Sequence, residues 1–220
     1  MAGDTAMAGM EMPMAMPWSA ADFFVAFAMW GVMMVGMMVP AAAPVMLVFA
    51  GAHARRGGRR MPWATLLFGL GYVAVWLAFS AGAALAQGTL HQAALLSPAA
   101  SVSSAWVGGA ILIAVGIYQW TPLKRACLRH CQSPLGFLMT HWRDGGLGAL
   151  QMGMRHGIYC LGCCWALMGI LFVVGVMNLA WVAALTLFVL LEKLGPVGAT
   201  VARVAGAALV LAGILSIAAR

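Results

Sequence analysis

Met152-Gly-Met-Arg-His-Gly-Ile-Tyr-Cys-Leu-Gly-Cys-Cys-Trp-Ala-Leu-Met168 carries three of the chain's five cysteines and one of its five histidines. It also opens an apolar run, 157–176, without a charged residue. A run of that length can cross a bilayer as a helix, and this decides the fold class. Each helical residue advances ~100°, which puts Cys160 at about +40°, Cys163 at about −20° and Cys164 at about +80° from His156. Three thiols and an imidazole therefore leave one helix face within ~12 Å of rise. Cysteine and histidine are ligands of soft and borderline metal ions, so this face is the candidate metal site.

Only 8% of the 220 residues are charged and 64% are hydrophobic, with a mean hydropathy of +0.97. Soluble domains are closer to ~25% charged. The chain reads as an all-α, polytopic transmembrane helix bundle of about six spans: 23–50, 63–86, 105–120, 157–176, 179–191 and 197–218. Residues 1–21 form a Met-rich extracytoplasmic tail without apolar periodicity, expected to be disordered, and 22–220 a single helical domain. The tail has no basic n-region, so the first span is the expected targeting element. The net charge of +7 would point to nucleic acid in a soluble protein. Here it reports orientation instead. With the N-terminus outside, eleven of the twelve Lys and Arg fall on the cytoplasmic side, as the positive-inside rule requires.

Sulfur ligands are spread along this topology. Met7, Met10, Met12, Met14 and Met16 lie outside, and Met29, Met33 and Met37 repeat at helical spacing in the first span. Pro40 and Pro44 follow and are expected to kink that helix, because proline removes a backbone donor. The thiols come later, in the inner half, with His156 at the cytoplasmic boundary. Thioethers and thiolates are soft ligands that select Cu(I). The candidate ligands are His156, Cys160, Cys163 and Cys164, with Met29, Met33 and Met37 as outer ligands. Zinc is the other ion that such a Cys/His set takes.

The remaining residues carry weaker signals. Between spans three and four lies one long connection, 121–155, with a short interfacial helix expected near 135–142. Within it, Cys127 and Cys131 share a face if helical, with His130 pointing elsewhere. His53, His91 and His141 read as loop or interfacial residues. Glu192-Lys193 adjoins a span end, where a charged pair needs no special explanation; a buried Glu192 would be costly and functional by default. Gly153-x-x-x-Gly157 is a helix-packing pattern.

Several of these pieces occur together. They are Met29-Trp…Met-Met-Val-Gly-Met-Met-Val-Pro40-Ala-Ala-Ala-Pro44, Tyr118-Gln-Trp-Thr-Pro-Leu-Lys-Arg-Ala-Cys-Leu-Arg-His-Cys131, His141-Trp-Arg-Asp-Gly, the opening stretch to Trp165, Gly175-Val-Met-Asn-Leu-Ala-Trp181 and Glu192-Lys193. Over residues 22–195 the chain resembles a bacterial family described as predicted metal-binding integral membrane proteins. The resemblance implies a multi-pass protein of the bacterial inner membrane with a metal site, and no particular reaction.

Three functions compete. The first is handling of Cu(I), by transport or by delivery to a cuproenzyme, with a metallochaperone or the cuproenzyme as partner beside the lipid bilayer. The second is a membrane thiol/quinone oxidoreductase using Cys160 and Cys163. The third is a non-catalytic membrane subunit of a larger complex. Under the first reading no catalytic residue is assigned and the chain is not an enzyme.

Overall fold

The computed structural model describes residues 18–55, 61–96, 101–194 and 198–219. The methionine tract at 7–16 and the basic residues 56–60 lie outside these. The described fold is helical: α1 (Ala20–Arg55), α2 (Met61–Gln92), α3 (Ala105–Tyr118), α4 (Pro122–Gln132), α5 (Pro134–His141), α6 (Gly145–Val174), α7 (Leu179–Leu194) and α8 (Gly198–Ala218). Among the described residues no strand forms, and one isolated antiparallel bridge joins Leu96 to Val102.

Four helices, α1, α2, α6 and α8, are long and apolar enough to cross a membrane. The pair α3–α4, bent by 63°, makes a fifth if it is one span. The expected count of six is thus reduced to four or five by this measure. Length is the reason: α7 has 16 residues and α3 has 14, or ~24 and ~21 Å of rise against a ~30 Å hydrocarbon core. Pro40 and Pro44 do not break α1, which runs through both as one helix.

The stretch 121–155 departs most from expectation. It is not a connection but α4, α5 and the first three turns of α6. Helix α6 begins at Gly145, so His156 and the thiols sit near its middle rather than at its inner end. The Gly-rich start Gly145-Gly-Leu-Gly is a poor helix former alone. Gly146 of this start faces Leu67 of α2, and small residues further along let α6 lie directly on α2. A Cβ on Gly153 would meet the Phe68 carbonyl, one on Gly71 the backbone of Leu150 and Met154, and one on Gly157 the Val75 side chain at 3.0 Å. α2 and α6 are the most extensively packed pair. A second seam joins α3 to α8, where Gly109 faces the Gly213 carbonyl and Gly116 the Gly206 carbonyl. In lipid, such close backbone approach is what drives helix association.

Ring contacts fix the ends of the bundle. Trp18 lies 5.4 Å from His91, so the start of α1 meets the end of α2. At the other end Phe49 stacks on Phe68 at 4.9 Å and faces Trp142, at the α5–α6 junction, at 5.6 Å. Trp120 donates to the Arg203 carbonyl at 3.1 Å, which brings the start of α8 to this same end. Arg55, Arg125, Arg129, Arg143, Arg155 and Arg203 all belong to it, and each is exposed.

The α2–α6 seam leaves no room for a side chain on Gly153. Gly153→Leu should destabilise the protein by at least about 1–3 kcal/mol, the usual cost of overpacking. Gly82→Ala, where a Cβ meets nothing within 4 Å, should be neutral or stabilising by up to ~1 kcal/mol. Thermal unfolding of the detergent-solubilised variants, followed by tryptophan fluorescence, measures both.

Candidate metal centre

Helix α4 starts because Thr121 caps it and Pro122 occupies its first turn, with the Thr121 hydroxyl accepting from the Lys124 amide. Its inward face carries Lys124, Cys127, Leu128 and Cys131, at the i, i+3, i+4, i+7 spacing of one helical stripe. Its outward face carries the exposed Arg125 and Arg129. Helix α7 repeats the logic: Leu185, Val189, Glu192 and Lys193 form its buried stripe. Lys193 therefore enters the interior, although a charged pair at a span end looked unremarkable in the sequence.

These stripes meet the sulfur face of α6. Cys160, Cys163 and Cys164 are all fully buried. The Lys193 ammonium donates to Cys160 Sγ at 2.9 Å, and the Tyr72 hydroxyl lies 3.0 Å from the same sulfur. Tyr72 donates to the Met38 carbonyl of α1 at 2.9 Å, just before the two prolines. Cys163 donates to the Cys160 carbonyl at 3.1 Å and lies 3.2 Å from Cys164 Sγ. Across the helix pair, Cys131 Sγ is 4.0 Å from Cys163 Sγ. Cys127 Sγ abuts Gly162, where a Cβ would come within 2.7 Å of it, and Tyr118 donates to the Gly162 carbonyl. All five cysteines are free thiols.

The charges beside the thiols are arranged in two sets. Lys124 donates to both oxygens of Glu192, at 2.8 and 3.0 Å, and to the Gln119 side chain. This ion pair is buried on both sides and cancels itself. Lys193 has no carboxylate among the described residues, only the Cys160 sulfur. A buried charge without a counter-charge is costly, and the group that accepts from Lys193 is the Cys160 sulfur.

His156 is buried beneath this group, with no hydrogen-bond partner for Nδ1. Its ring lies among those of Tyr72, at 5.8 Å, Phe137, at 5.1 Å, and Phe68, at 6.3 Å. It thus follows the thiols along the helix face, one turn away, with Tyr72 touching both. His130 points elsewhere and stacks on Tyr159 at 4.2 Å. Met29, Met33 and Met37 are not brought to the thiols. With Met177 they line a groove between α1 and α7 of about 850 Å³. From α1, the Met38 carbonyl reaches Tyr72 beside Cys160.

Among the described residues no three His, Cys, Asp or Glu side chains converge on one point as a metal cage would require. The sulfur pairs are another matter. Two thiolates sharing one ion at ~2.3 Å stand up to ~4.6 Å apart, and the 4.0 Å between Cys131 and Cys163 fits within that span.

A family described as "PpoB2: copper chaperone" matches residues 27–216. The chain belongs to this family. No curated protein and no solved structure matches it. Membership places the protein among copper-handling chains, and the matched region contains every thiol described above.

Residues the sequence left out of the site are Lys193, Lys124, Glu192, Tyr72 and Cys131. The signal for four of them was present as periodicity: Lys124 and Cys131 share one stripe of α4, and Glu192 and Lys193 continue the Leu185–Val189 stripe of α7. Tyr72 carries no such mark, because only the α2–α6 seam sets it against Cys160.

The buried ion pair predicts a specific double-mutant result. Glu192→Gln leaves the Lys124 ammonium uncompensated and should cost about 3–5 kcal/mol of stability. Adding Lys124→Met removes that charge and should restore most of the loss. Equal destabilisation by the single and double variants, measured by thermal unfolding, would contradict this account.

Proposed function

We propose that the chain is a Cu(I) carrier of the bacterial inner membrane, which holds the ion on buried thiolates and passes it to a cuproenzyme or a partner metallochaperone. The observation that carries this reading is the charge balance around Lys193. The Lys124–Glu192 pair is neutral, so Lys193 brings one positive charge into the interior. Two thiolates on one Cu(I) have a net charge of −1, and Lys193 makes the loaded site neutral. A low-dielectric interior tolerates a neutral assembly far better than a charged one. Zn²⁺ on the same two thiolates would already be neutral and would leave Lys193 unmatched. Zinc also wants a tetrahedral set. On a two-thiolate site the charge balance therefore favours copper over zinc.

In this reading Cys160, which gives up its proton to the ion, is the first donor. Cys163, Cys131 and Cys164 lie around it and exchange places as second donor. The ion can then move by trading one sulfur at a time without leaving soft ligands. His156, with its unpartnered Nδ1, is a further donor at the Phe137 side. Met29, Met33 and Met37 are neutral thioethers, and an ion on them keeps its charge uncompensated. They suit brief contact with Cu(I) in transit rather than storage.

The arginines at one end support an orientation with that end cytoplasmic and the N-terminus outside. The burial of Lys124 and Lys193 removes them from the loop charges but leaves six exposed arginines at that end among the described residues. For the oxidoreductase reading, Cys131 at 4.0 Å from Cys163 across two helices is a further partner beside Cys160.

Copper analysis of protein purified under reducing conditions tests the proposal. The wild type should hold about one Cu(I) per chain, and Cys160→Ser and Cys163→Ser should lose most of it. Lys193→Met should weaken Cu(I) binding by about 10–100-fold, as loss of a supporting group around a metal does. Retention of copper by the serine variants, with loss in a Met29/Met33/Met37→Leu variant, would move the site to the α1–α7 groove. Copper-free protein in which one disulfide forms reversibly would favour the oxidoreductase.

A further inference from the structure

At the arginine end, α5 and α6 border an open cleft of about 330 Å³, lined by Thr140, His141, Trp142, Arg143, Gln151, Met152 and Arg155. The copper reading makes no use of it. Arg143 spends one donor on Gln151 Oε1 at 2.6 Å and keeps the rest. Arg155 has no hydrogen-bond or ion-pair partner among the described residues. The chain has five acidic residues in all. Asp22 serves Ser19 at the opposite end, and Glu192 is committed to Lys124. Asp144, the nearest carboxylate in sequence, accepts from Trp142. Asp4 and Glu11 lie outside the described residues, in the N-terminal tail. Two guanidinium groups thus face one cleft, and the described fold offers no anion to fill it.

We propose that this cleft binds a phosphate-bearing anion, and that in the bilayer its occupant is the headgroup of an anionic phospholipid. The proposal rests on the membrane orientation given above. Guanidinium forks match phosphate oxygens in pairs. Thr140, Gln151 and His141 supply further polar contacts to an ester or glycerol hydroxyl. The position suits a headgroup, because Arg155 immediately precedes the apolar part of α6 and Trp142 marks an interfacial level. Basic pockets between helices on the cytoplasmic side are where anionic headgroups lodge. A bound headgroup would also tie α5 to α6. Phe137 of α5 covers the His156 ring at 5.1 Å, so occupancy would hold the cover over the metal centre's lower side.

Native mass spectrometry of the intact, delipidated protein supplies the test, with added phosphatidylglycerol, phosphatidylcholine or inorganic phosphate. The wild type should retain phosphatidylglycerol at least about tenfold better than phosphatidylcholine. Arg143→Gln/Arg155→Gln should abolish that preference. Arg125→Gln/Arg203→Gln, which removes the same charge from the same end, should leave it within about twofold. Arg143→Lys/Arg155→Lys keeps the charge and guards against a folding artefact; it should bind lipid but with a reduced preference. Competition by inorganic phosphate supports the shared phosphate chemistry. Phosphate retention without any phosphatidylglycerol preference makes the free ion the occupant and removes the lipid assignment. An equal loss in both Gln variants, or no preference in the wild type, overturns the site: the arginines then act only as a diffuse field. Copper loading of the Arg143→Gln/Arg155→Gln variant should stay near the wild-type level, so failure here is distinct from failure of the copper reading.

Discussion

Two ammonium groups enter the interior of the bundle, and a single carboxylate is there to meet them. Lys124 takes Glu192 and leaves Lys193 on a sulfur. That imbalance organises the centre of the molecule. A lone buried ammonium is a large penalty in an apolar interior, and the group it donates to is the Cys160 sulfur. That sulfur is in the middle of α6, on the helix that also buries Cys163 and Cys164. The proposed donors thus lie where water and competing hard ligands have least access. Under the proposed function, a soft monovalent ion on two thiolates would keep the net charge of such a place at zero.

Small residues make this arrangement possible. Gly71, Gly153 and Gly157 bring α2 against α6, and this places the Tyr72 hydroxyl on Cys160. Gly162 leaves the gap that Cys127 occupies, which lets α4 lie close enough for Cys131 to approach Cys163. Gly198 has the same role at the start of α8, where a Cβ would strike the Glu192 carbonyl, the acceptor of the Gln132 amide at 2.7 Å. The end of α7, which carries both Glu192 and Lys193, is thereby held by α4 and α8 together. Side-chain chemistry at the centre depends on missing side chains around it.

Much of the helix inventory was legible in the order of residues. The spans at 23–50, 63–86, 105–120, 179–191 and 197–218 each correspond to one helix, and the stretch near 135–142 is α5. The miss at 145–155 has a physical cause. A Gly-rich, Arg-ended stretch has low helix propensity, and contact with α2 overrides it. The common face of His156, Cys160, Cys163 and Cys164 also followed from helical spacing. The partners of that face did not, since Glu192-Lys193 reads as a surface pair until its stripe is known to point inward.

The sequence alone determined the class of fold, the helical face carrying the thiols and the soft character of the donors, because each depends on residue type and on spacing along one helix. Tertiary structure decided which elements close the site. It placed α4 and α7 against α6, set the methionines of α1 toward α7, and brought Lys193 to the Cys160 sulfur. Those choices depend on how closely two backbones approach. Spacing along one helix carries no information about that distance.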